Sequence, residues 1–214
     1  MSLVLLCTGL LTISPSQRKS FMFVFLNTNP NRQELPKEKS DSLQTAHMAN
    51  IDRLAKEGKL LAAGPFHGGG GIFVLNTGSV PEANEWLQSD PAVRAKRWNL
   101  EVLLYSPRVG SVCSVGENYE MISYSFVRYD LRDGALNERT NETWVLHREY
   151  LRNIAPSDSI MAEGMLGEDR GAILVVKGIV DEEQVKRDPA VSEGMIRPTV
   201  KKLWIAKGSF CEKW

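Results

Sequence analysis

The chain has 214 residues, enough for one or two ordinary domains. Its 26 Lys and Arg balance 26 Asp and Glu, which argues against a general binder of nucleic acid or anionic membranes, since such proteins carry a basic excess. The three scattered cysteines, Cys7, Cys113 and Cys211, show no CxxC spacing, and neither a disulfide framework nor a metal-thiolate site is expected from them.

Residues 1–17 contain the apolar run "LVLLCTGLLTIS". It reads either as a signal-peptide-like segment without its usual basic start or as an ordinary N-terminal arm. It is too short to span a membrane, which takes about 20 apolar residues. Export and retention in the cytoplasm therefore both stay open.

"FMFVFLN" (21–27) is aromatic and β-branched and predicts a buried strand. From about Asp41 a helix is expected, because Leu43, His47, Ile51 and Leu54 recur on one face. Gly58 would end it. "KLLAAGPF" and "GIFVLNT" predict two strands joined by "HGGGG". "VPEANEWLQSD" predicts a short helix that stops at Asp90, because Pro91 disfavours helix in its predecessor. "NLEVLLYS" predicts a strand, and "SPRVGSVCSVGEN" a linker centred on 109–117. The second half gives a strand at "YEMISYSFVRY" and a helix face of Trp144, His147, Leu151 and Ile154. Strands at "SIMAEGML" and "GAILVVKG", a short helix at "DEEQVKRD" and a last strand at "TVKKLWIAKG" follow.

The two halves echo one another. "DPAV" occurs twice, with Asp188 and Asp90 separated by 188 − 90 = 98 residues. His147 and His47 are 147 − 47 = 100 apart, and Gly164 and Gly64 are 164 − 64 = 100 apart. Landmarks in one order at one long period predict a duplicated domain, 18–108 and 118–214, rather than a solenoid. Each half has the order β-α-β-β-α-β, the split βαβ arrangement of ferredoxin-like units. The expected fold is therefore α+β: two tandem ferredoxin-like units packed sheet to sheet, one chain doing what a homodimer does with two. Pairing of this pseudo-dimer into a further homo-oligomer is left open.

His47 and His147 lie on apolar helix faces, an awkward place for imidazole without a partner. Each is either a core histidine tied to a carbonyl or half of a functional pair. Asp90 and Asp188 read either as turn residues before proline or as carboxylates at helix C-termini that would be relieved by a nearby His. "HGGGG" (67–71) is either an anion-cradling nest or lid, or a flexible hairpin tip. The His residues lack the i, i+3 or i, i+4 spacing of a zinc site, so no metal is expected. No P-loop, dinucleotide fingerprint or Gly-x-Ser-x-Gly element occurs.

"HMANIDRLAKEGKLLAAGPF", a hairpin and then "A-x-x-W-L-x-x-DP" resemble the YCII-related (YciI-like) family over residues 21–106, and more loosely over 119–210. The resemblance implies a dimeric α+β barrel with a small-molecule site built on a His–Asp pair. At least one relative is a dehydrochlorinase acting on a chlorinated hydroxyhydroquinone, and muconolactone isomerase-like proteins share the barrel. The family's His and Asp map onto His47 and Asp90, and in the second half onto His147 and Asp188. The expected activity is cofactor-free lyase or isomerase chemistry, by proton transfer on a small cyclic or aromatic ligand. Phe23, Gly64, Pro65, Phe66 and His67 are expected to contact it, in a pocket walled by Phe21, Phe23, Phe66 and Trp98. The alternative is a non-catalytic ligand-binding or structural module on the same barrel. The second half departs from the pattern, with "GMLGEDRG" in place of "GPFHGGGG".

Overall fold

The computed structural model describes residues 19–132, 140–167 and 171–211, so the N-terminal apolar run and Cys7 lie outside the described residues. The first half contains β1 (Phe21–Thr28), α1 (Lys37–Lys56), β2 (Leu60–Pro65), β3 (Gly71–Leu75), α2 (Val80–Gln88), α3 (Pro91–Arg94) and β4 (Trp98–Val109). A short β5 (Ser111–Val112) follows. The second half contains β6 (Met121–Leu131), α4 (Thr140–Ile154), β7 (Ile160–Leu166), β8 (Gly171–Lys177), α5 (Glu182–Lys186), α6 (Pro189–Ser192), β9 (Ile196–Ala206) and β10 (Phe210–Cys211).

Eight strands form one antiparallel sheet in the order β2-β3-β1-β4-β7-β8-β6-β9. The sheet curls until its edges meet, where Phe66 bridges to Leu203 and the His67 amide donates to the Lys202 carbonyl at 2.9 Å. The result is a nearly closed barrel. β1 explains why its sequence is apolar on both faces. Phe21, Phe23 and Phe25 point into the barrel, while Met22, Val24 and Leu26 meet the helices outside. β8 alternates likewise, with Ile173 and Val175 inside and Leu174 and Val176 outside. The interior is filled by side chains from both halves, with Phe126 at 6.0 Å from Phe23 and 5.1 Å from Phe66 between ring centroids.

The recurring glycines have a steric reason. A Cβ on Gly64 would sit 2.5 Å from the Trp204 carbonyl oxygen, where β2 approaches β9. A Cβ on Gly164 would sit 2.5 Å from the Tyr105 ring and 2.6 Å from the Ser106 carbonyl, where β7 pairs with β4. Both glycines thus allow close strand approach at the two lines where the halves meet.

Several expectations need correction. α1 begins at Lys37, four residues before Asp41, and ends with Gly58 at φ 69°. β4 runs through Val109 because it pairs with β7, so the expected linker is partly strand. Pro91 and Pro189 each open a short further helix, which turns Asp90 and Asp188 from helix-ending residues into N-caps. The cysteine reading also fails: Cys113 and Cys211 form a disulfide, with Cα atoms 5.9 Å apart. β5 and β10 pair side by side and bring the two residues together.

Candidate functional site

α1 presents His47, Asn50 and Leu54 to the outer face of the sheet. α3 starts against the same stretch of α1, because the turn after α2 delivers Asp90 there. His47 Nδ1 lies 2.7 Å from Asp90 Oδ2, and His147 Nδ1 lies 2.7 Å from Asp188 Oδ2. All four residues are buried, Asp188 fully and His47 at 7% exposure.

Each carboxylate divides its oxygens between two tasks. Asp90 Oδ1 accepts from the Ala92 and Val93 amides at 2.8 and 3.3 Å, while Oδ2 takes His47 and, at 3.3 Å, the Asn50 amide. Asp188 Oδ1 accepts from the Ala190 amide at 2.9 Å. Burial pushes the Asp90 carboxyl up, but the bond and charge of His47, with the two amides, more than offset it. The net position is below the ordinary 3.8. An ionised Asp90 is an acceptor only, so neutral His47 carries its proton on Nδ1 and its lone pair on Nε2. Nε2 has no hydrogen-bond partner among the described residues. An imidazole oriented in this way can take a proton at Nε2 while the carboxylate stabilises the resulting cation.

The surroundings of the two pairs differ. His47 lies against Trp98 and Phe73, with ring centroids 4.9 and 6.0 Å away. Asn50 is fixed in turn by Arg53 at 2.8 Å and Ser89 at 3.1 Å. His147 meets Trp144 and Tyr129 at 5.2 and 5.4 Å. The Tyr129 hydroxyl is buried without a partner, and burial pushes its phenol up, aided by the charge of Asp188.

Of the residues expected at the site, only the two His–Asp pairs and Trp98 come together. Phe21, Phe23 and Phe66 lie in the barrel interior, on the opposite side of the sheet from His47. The rings at the first pair are Phe73 and Trp98 instead, because alternation along β1 sends its phenylalanines inward. Gly64, Pro65, Phe66 and His67 sit where the barrel closes on β9, away from both pairs. Asn50 was missed, although its place three residues after His47 puts it on the same helix face. The described clefts are lined by none of the four pair residues. Among the described residues no group of three His, Cys, Asp or Glu could hold a metal ion, and no helix is long and apolar enough to cross a membrane.

Comparison with solved structures gives three likenesses. A candidate monooxygenase from Lactobacillus acidophilus NCFM aligns with TM-score 0.45 at 15% identity, over 87% of this chain and 94% of its own. A candidate monooxygenase from Fusobacterium nucleatum aligns with TM-score 0.47 at 10% identity, over 92% and 98%. The candidate chlorite dismutase TA0507 aligns with TM-score 0.53 at 8% identity, over 89% and 96%. At such identities the last of these speaks for the fold alone, a barrel-like α+β sheet. No curated protein matches the sequence. The family model of the YCII-related domain matches residues 21–103, the span from β1 through most of β4 that holds His47 and Asp90. Over that span the chain is similar to the YCII-related domain.

Proposed function

We propose that this protein acts on a small cyclic or aromatic molecule by general acid–base chemistry, as a cofactor-independent lyase or isomerase. His47 is the proton-transfer group and Asp90 its orienting partner. His147 and Asp188 repeat the arrangement in a second unit that arose by duplication, so that two ferredoxin-like units form a pseudo-dimer in one chain. The observation that carries this reading is the Nδ1–Oδ2 contact of 2.7 Å in both halves, which leaves each Nε2 as the working nitrogen.

A second reading has its own support. Each aspartate also caps a helix, and each pair is buried. The pairs would then clasp α1 to α3 and α4 to α6 in a non-catalytic ligand-binding module. Turnover of ring lactones and chlorinated hydroquinones, followed by absorbance, separates the two. Catalysis predicts that His47→Gln lowers the rate by about 10²–10⁴-fold while ligand binding persists. Turnover that survives both His47→Gln and His147→Gln, or binding with no turnover by the intact protein, would defeat the catalytic reading.

A further inference from the structure

Where β4 and β7 join the halves, α4 overhangs the sheet and leaves a cleft of ≈ 290 Å³. Its charged residues are Arg108 on β4, Arg148 and Arg152 on α4, and Glu163 on β7. Glu163 forms an ion pair with Arg108. Arg148 and Arg152 stand one helical turn apart, and Arg152 Nε donates to the Arg148 carbonyl at 3.2 Å. No carboxylate of the described residues is within ion-pair distance of either. Like charges at this spacing destabilise a helix, so stability alone does not account for the arrangement. Val109, Leu151 and Ile160 give the cleft an apolar part, and Ser157 completes the lining.

The charge is particular to the second half. At the 100-residue offset, Met48, Asp52 and Ala63 occupy the places of Arg148, Arg152 and Glu163. The equivalent positions of the first half therefore bear no guanidinium.

We propose that this cleft is a binding site for a small organic anion. The carboxylate sits between Arg148 and Arg152, and an apolar body of about one ring lies on Val109, Leu151 and Ile160. The planar guanidinium suits a carboxylate through paired N–H donors. The volume lies just under the usual range of ligand sites, roughly 300 Å³ upward, which limits the ligand to a small one. None of the four His–Asp residues lines this cleft, so the site stands independently of the catalytic reading.

Calorimetric titration of the full chain with phenylacetate tests it, with phenylacetamide and inorganic phosphate as comparators. Phenylacetate should bind saturably and more tightly than either. The double variant Arg148→Gln/Arg152→Gln changes only exposed side chains and should weaken it by roughly tenfold or more. Glu163→Gln removes a negative charge from the cleft lining and should tighten it. No saturable binding of phenylacetate, equal binding of the neutral amide, or a double variant that binds as well as the parent would each overturn the proposal. Phosphate bound as tightly as phenylacetate would overturn the apolar half of the site.

Discussion

Replacing Asp90 measures how firmly the pair joins α1 to α3. The carboxylate is 1% exposed and receives four hydrogen bonds, from His47, Asn50, Ala92 and Val93. Asp90→Ala removes all four and leaves buried donors without acceptors. Loss of the helix cap costs about 0.5–2 kcal/mol, and loss of a charged hydrogen bond about 1.5–3 kcal/mol, so the total should fall near 2–5 kcal/mol. Asp90→Asn keeps Oδ1 for the cap but sets an amide donor against His47 and Asn50, so only the second cost applies. Urea midpoints at unchanged slope read both numbers near neutral pH. The pH dependence adds a sign. Because the folded Asp90 carboxyl lies below its ordinary 3.8, its contribution is complete above that value and fades as pH falls through the folded one. The gap between parent and Asp90→Asn should therefore narrow below about pH 4. Equal midpoints near neutral pH, or a gap unchanged in acid, would refute the view that an ionised Asp90 holds His47.

Cys211→Ser should lower stability by about 2–5 kcal/mol, read as a shift in thermal midpoint that dithiothreitol reproduces in the parent and not in the variant. Gly64→Ala pushes a methyl against the Trp204 carbonyl where the barrel closes; a loss of about 1–3 kcal/mol is expected in denaturant titration. Burial, then the charge of Glu163, pushes the Tyr105 phenol up, and Tyr129 is raised by the same burial and by Asp188. In an alkaline titration followed by tyrosinate absorbance, these two of the five tyrosines should ionise only as the protein unfolds. A group raised in the folded state contributes stability that is lost as pH climbs, so unfolding should begin above about pH 10.

Much of the architecture was written locally. Period-two alternation and continuous apolar runs marked the strands, and the 3.6-residue recurrence around His47 and His147 marked the long helices. What failed had non-local causes. Pro91 was read as the end of a helix, whereas proline is also suited to a helix's first turn; only the path of the chain decides between them. Alternation on β1 does not say which set of residues faces the barrel, so Phe21 and Phe23 were expected beside His47 though they face the interior. The seam position of Gly64–His67 depends on how far the sheet curls. The approach of His47 to Asp90 was implied by family resemblance and not by spacing. Cys113 and Cys211, 98 residues apart, meet only because β5 and β10 pair.

That covalent link also changes how the molecule would respond to tension. Residues 113–211 form a closed ring of 211 − 113 + 1 = 99 residues, which contains all of the second half's helices and main strands. A force applied at the two ends passes across the ring through one sulfur–sulfur bond. Only the remaining 214 − 99 = 115 residues can be drawn out, to roughly 390 Å rather than the roughly 730 Å of a free chain at about 3.4 Å per residue. The first half would be stripped from β7 and β9 while α4, with the cationic cleft beneath it, stays mechanically shielded until the bond is reduced.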